Sequence, residues 1–70
     1  MSQELLAKLS QRERECLIQV LKGKTAKETG KSLHLSFRTV EDHIASLKEK
    51  LGCTHKRELH ALFPHQLIIN

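Results

Sequence analysis

The apolar residues of this chain recur at helical spacing, and each run is bracketed by residues that start or stop a helix. Cys16, Leu17, Val20 and Leu21 fall on one face at that spacing. Ser10 followed three residues later by Glu13 is the reciprocal arrangement in which each side chain satisfies an orphan amide at a helix start. A first helix is therefore predicted to begin there and to end at Gly23. This reading puts Arg12, Glu13, Arg14 and Glu15 in the first turn and on the solvent side.

Thr25 and Glu28 repeat the capping spacing, which predicts a second helix from about Ala26 to Leu33 with Ala26, Gly30 and Leu33 inward. Gly30 costs about 1 kcal/mol against alanine in a helix interior, and Thr29 is a middling helix former. Such a helix must be held by packing, and a glycine there implies close approach by another element. Only His34 and Leu35 separate it from Ser36, a good N-cap, and a join this tight is the signal of a helix-turn-helix. From Val40 the residues Ile44, Leu47 and Leu51 follow at steps of four, three and four. They form a narrow stripe on a third helix, 36–51, about 24 Å long at the standard rise. Gly52 stops it, with Cys53 placed to supply the accompanying hydrophobic contact on Leu47.

A fourth helix is predicted from near His55, with Leu59, Leu62 and Phe63 on one side and Pro64 forbidding continuation. The tail 65–70 holds the apolar patch Leu67, Ile68 and Ile69. Without repeats or low-complexity linkers, the reading is all-α: one compact four-helix domain containing a helix-turn-helix. It assigns 1–8 as an N-terminal extension, 9–63 as the domain and 64–70 as a C-terminal tail.

Composition narrows the function more than the fold. Seventy residues form one domain at most, too small for a large enclosed active site. No constellation of acid, base and nucleophile appears, and no phosphate-cradling glycines, so the chain is read as non-enzymatic and without a cofactor. Cys16 and Cys53 are too few for a disulfide framework and are expected as free, buried thiols in a reducing cytoplasm. Metal binding is not expected either. No Cys-x-x-Cys occurs, and His55, His60 and His65 repeat at five residues, off a single helical face. No apolar run reaches the length of a membrane span or a signal peptide. The formal charge of +4 suits a polyanionic partner, although charge alone is weak support for one.

Taken together, Leu9 to Glu15, Gly23-Lys24, Lys27-Glu28, Leu33, Leu35-Ser36, Arg38 to Glu41, His43-Ile44 and Lys50 to Gly52 resemble the LuxR-type DNA-binding domain of bacterial transcription regulators. The match runs from about Leu9 to Leu62 and joins several separated motifs in order. The resemblance implies a helix pair that binds double-stranded DNA, a fourth helix that supports a homodimer, and a place as output module of a larger regulator. It also marks three departures. Thr29 stands where the family has an aliphatic residue, Gly30 where it has alanine, and His34 where glycine is frequent. Thr29 gives up core hydrophobicity, Gly30 keeps the site small where the recognition helix crosses the second helix, and His34 is expected in a left-handed turn conformation.

Phosphate contacts supply affinity, and base edges supply specificity. Lys27, Ser36, Arg38, Thr39, Lys48 and Lys50 are the candidate backbone contacts, with the resemblance supporting Lys27 and Thr39. For Lys22, Lys24 and Lys31 a merely solvated surface is the favoured reading. The face opposite Val40, Ile44 and Leu47 carries Glu41, Asp42, Ala45 and Ser46, positions that align with base-reading positions in the family. A carboxylate can accept from cytosine N4, and alanine can touch a thymine methyl. Glu41 has the alternative role of a capping or intrahelical partner. Segment 36–51 balances Arg38, Lys48 and Lys50 against Glu41, Asp42 and Glu49, so positive charge must come from its flanks. His43 is expected as a partly buried packing or backbone-contact residue. The reading is sequence-specific DNA binding and transcription regulation, as a dimer on a pseudo-palindromic site, with RNA polymerase admitted as a further partner. The alternative is a helix-turn-helix retained to bind a regulator or polymerase subunit, and a sigma-factor fragment is a weaker third reading.

Overall fold

A computed structural model of the chain describes residues 2–63 as five α-helices without strands. They are α1 Ser2–Leu6, α2 Gln11–Leu21, α3 Ala26–Leu33, α4 Phe37–Leu51 and α5 Lys56–Leu62. The four predicted helices are α2 to α5, and the predicted fourth helix is α5. Tail 64–70, including Pro64 and the apolar patch, lies outside the described residues.

The capping residues act as the sequence implies. Ser10 Oγ accepts from the Glu13 amide at 3.2 Å while the Glu13 carboxylate accepts from the Ser10 amide at 2.8 Å. Thr25 and Glu28 make the same pair of bonds at 3.1 and 2.9 Å. Those bonds hold the Glu28 carboxyl below its ordinary pKa, the Thr25 amide being the largest cause. The helix ends also share one geometry. Gly23, His34 and Gly52 each take a positive φ, and the amide beyond each returns to a carbonyl of the last turn: Lys24 to Gln19, Leu35 to Gly30 and Cys53 to Lys48. His34, at φ 60 and ψ 43, adopts the left-handed turn expected of it.

The core is assembled on α4. Val40, Ile44, Leu47 and Leu51 form its buried stripe and meet Leu9, Cys16, Leu17, Val20 and Leu21 from the α2 side, Ala26 from α3, and Leu59 and Phe63 from the α5 side. The densest packing joins α2 and then α3 to α4, while α5 rests on α2. Gly30 sits where the turn folds back. A Cβ built there would meet the Leu35 carbonyl oxygen at 2.6 Å and Val40 Cγ2 at 3.6 Å. Turn backbone therefore demands the missing side chain more sharply than the crossing of α3 and α4 does.

Three expectations need correction, and one short helix, α1, is additional to the predicted four. Within the extension 1–8, α1 lays Leu5 and Leu6 against the core, and Arg14 Nη1 donates to the Leu6 and Leu9 carbonyls at 3.4 and 3.2 Å. A segment this short has no periodicity to read and is held by those contacts. Leu62 does not face inward. It is 38% exposed, because α5 turns only Leu59 and the following Phe63 onto α2 and the core. Of the two free thiols, Cys16 is buried and Cys53 only half-buried, and burial pushes both above the usual thiol pKa. The third correction concerns Glu13, which is buried rather than on the solvent side.

Thr29 is completely buried, and its hydroxyl is the one buried side-chain polar atom without a hydrogen-bond partner among the described residues. Valine has the same shape and no hydroxyl to desolvate. Thr29→Val is expected to stabilise the domain by about 1 kcal/mol. Thermal denaturation should show a midpoint higher by about 4–8 °C, and an unchanged or lower midpoint would contradict the packing described.

Candidate nucleic-acid interface

The first half of the interface is the α3–turn–α4 unit. Ser36 caps α4, its Oγ accepting from the Thr39 amide at 3.1 Å and donating to Thr39 Oγ1 at 2.9 Å. Two predicted phosphate contacts are thus tied to each other at the start of the helix, where amides point outward and favour an anion. Lys27 and Arg38 stand exposed, on the first turn of α3 and the first turn of α4. Arg12, from α2, reaches the Leu33 carbonyl at 3.5 Å at the end of α3 and pairs with Glu15 at 3.0 Å.

The second half is the outer face of α4. Glu41, Asp42 and Ala45 are exposed together, while His43 is half-buried as expected. Arg38 Nε lies 3.6 Å from an Asp42 carboxylate oxygen, with both side chains largely in water. A pair this exposed is worth at most about 1 kcal/mol, so either group is available to another partner. Lys48 is half-buried in the last turn, where a cation complements the helix dipole.

Ser46 and Lys50 have a different environment from the other predicted contacts. Both meet Glu13 of α2: Ser46 Oγ donates to Oε2 at 2.5 Å and Lys50 Nζ to Oε1 at 2.9 Å. Since Oε1 also accepts from the Ser10 amide, one carboxylate closes the cap of α2 and holds two side chains of α4. Burial alone would raise the Glu13 pKa. Hydrogen bonds from Ser46, from the Ser10 amide and from Lys50 outweigh it and lower the pKa from 4.5 to about 2. The Ser10–Glu13 spacing announced the cap, but a cap uses one carboxylate oxygen, and nothing local reveals where the other points.

Among the described residues no group of His, Cys, Asp and Glu is disposed to hold a metal ion, and no pocket is present. No described helix is long and apolar enough to cross a membrane.

Comparison with known proteins supplies the family. The family described as "Bacterial regulatory proteins, luxR family" matches residues 7–63. The chain belongs to the LuxR family. Its LuxR-type helix-turn-helix is a DNA-binding module of transcription regulation, and the family is not one of enzymes. Curated relatives include the transcriptional activator protein BjaR1 of Bradyrhizobium diazoefficiens, 40% identical over 63 residues, covering 90% of this chain and 26% of that protein. The transcriptional regulatory protein TdiR of Thauera aromatica is 49% identical over 49 residues, covering 70% of this chain and 22% of its own. The transcriptional activator protein SolR of Ralstonia nicotianae is 45% identical over 53 residues, covering 76% and 22% respectively. The chain thus spans about a quarter of the length of these relatives. No solved structure matches it.

The buried carboxylate makes LuxR-type packing here sensitive to acid. A folded-state pKa below the unfolded value contributes stability that is fully present above about pH 4.5 and is lost as pH falls toward 2. Urea denaturation at stepped pH should show stability declining through that window, with a shallower decline in Glu13→Gln. Equal acid slopes for the two proteins would show that Glu13 titrates normally.

Proposed function

We propose that this chain binds duplex DNA sequence-specifically, with α4 in the major groove, and regulates transcription from the cytoplasm. The observation that carries the proposal is the exposed trio Glu41, Asp42 and Ala45 on a helix whose opposite stripe is fully packed, just beyond the tight turn at His34 and Leu35. A rigid helix with one free polar face past such a turn is what groove reading requires. In this reading Glu41 and Asp42 accept from cytosine N4, and Ala45 meets a thymine methyl. Lys27, Ser36, Arg38, Thr39 and Lys48 contact phosphates. Ser46 and Lys50 contribute more indirectly. Engaged by Glu13, Ser46 sets the rotation of α4 on α2, and Lys50, 42% exposed, swings to phosphate only by leaving the carboxylate.

A homodimer on a pseudo-palindromic site fits the exposed Leu62 on α5, which offers an apolar contact beside the packed Leu59. Relatives named as transcriptional activators and regulators support the regulatory outcome. The reading face carries the two carboxylates of Glu41 and Asp42 and segment 36–51 is neutral overall, so affinity rests on the flanking cations and on the helix N-termini.

Selection of duplexes from a random pool, followed by binding titrations across a salt series, tests the reading. A recurrent sequence should be enriched, and binding should weaken linearly in log K against log salt. Lys27→Gln and Arg38→Gln should weaken binding to enriched and random duplexes alike, each lowering the salt slope by about one. Failure to enrich any sequence at physiological salt would overturn the proposal.

A further inference from the structure

Phe37 is the first residue of α4, beside the N-cap Ser36, and it is 51% exposed. Three residues ahead of Val40, it would extend the apolar stripe by one more step. Yet Val40 is fully buried and Phe37 is left in water, because the first turn of α4 projects past the edge of the core. A half-exposed aromatic ring forgoes much of the burial that makes such a residue stabilising, so its presence at this tip has no account in the packing.

Its position on the helix does supply one. Phe37, Glu41 and Ala45 stand at i, i+4 and i+8 and are all exposed, forming one row along α4. The two apolar members lie about 12 Å apart along the axis, with the carboxylate between them. Beside this row Arg38 and Asp42 turn to each other at 3.6 Å. In the major groove the apolar feature of a base edge is the 5-methyl group of thymine, and phenylalanine is one of the side chains suited to it. The N-terminal residues of a reading helix are those brought closest to base edges.

We propose that Phe37 is a specificity-determining residue that packs its ring on a thymine 5-methyl group, at the end of the half-site met by the start of α4. The inference rests on the DNA-reading function proposed above and adds a residue and a base chemistry to it. It makes the half-site one in which a methyl contact from Phe37 is separated from the contact of Ala45 by the base that Glu41 reads.

The test uses the 70-residue chain and the duplex it enriches from a random pool. Each thymine of that duplex is replaced in turn by deoxyuridine, which removes only the methyl group. At one thymine per half-site the replacement should weaken wild-type binding about fourfold, the worth of burying one methyl-sized group. Phe37→Ala should bind the thymine duplex at least that much more weakly and be indifferent to the same replacement, while Phe37→Leu keeps part of the discrimination. The thermal midpoint of Phe37→Ala should match wild type, since the ring lies outside the core. A wild type indifferent to every replacement overturns the proposal without recourse to any variant. So does a methyl effect that persists undiminished in Phe37→Ala, or a loss in Phe37→Ala that is equal on thymine and uracil duplexes. If no sequence is enriched, sequence reading itself fails and this proposal with it. Enrichment with no Phe37-dependent methyl effect overturns this proposal alone.

Discussion

The carboxylate of Glu13 joins the start of α2 to the middle and end of α4. A buried charge is tolerated only where hydrogen bonds replace the water it has lost, and here the Ser10 amide, the Ser46 hydroxyl and the Lys50 ammonium do so. Those partners come from the two helices that pack together most closely. Apolar stripes alone allow two helices to slide or rotate by a fraction of a turn at small cost. A directional bond between Ser46 and Glu13 removes that freedom. With α4 fixed in rotation, Glu41, Asp42 and Ala45 point outward as a set.

The three donors differ in weight. Lys50 is 42% exposed, so its attraction to Glu13 is screened and is worth at most about 1 kcal/mol. Ser46 bonds the buried oxygen at 2.5 Å, in the range of strong charge-assisted contacts. The Ser10 amide would otherwise be an orphan of the helix start. Hydroxyl and amide therefore carry most of the constraint, and Lys50 can leave for a phosphate while the helix keeps its seat. The turn between α3 and α4 supplies the complementary constraint through backbone alone: Gly30 admits the Leu35 carbonyl, and His34 accepts the left-handed conformation that closes α3.

Most of the fold was legible in the sequence because its signals are local. Ser10, Thr25 and Ser36 are caps, Gly23 and Gly52 are stops, and the stripe from Val40 to Leu51 has a clean helical period. The short α1 was not legible, since five residues carry no period and its stability comes from Leu5 and Leu6 on a core assembled elsewhere. Leu62 was misread because periodicity on a two-turn helix does not say how wide the buried face is. The interface divides along the same line. Exposure of Glu41, Asp42 and Ala45 follows from the stripe opposite them, whereas the capture of Ser46 and Lys50 depends on a residue 33 and 37 positions away.

A double-mutant cycle on Glu13→Gln and Ser46→Ala, measured by chemical denaturation near neutral pH, tests the central role of this carboxylate most directly. A coupling energy above about 1 kcal/mol is expected for that pair, and a smaller one for Glu13→Gln with Lys50→Ala. Additive effects of Glu13→Gln and Ser46→Ala would contradict it, leaving apolar packing alone to set the reading helix.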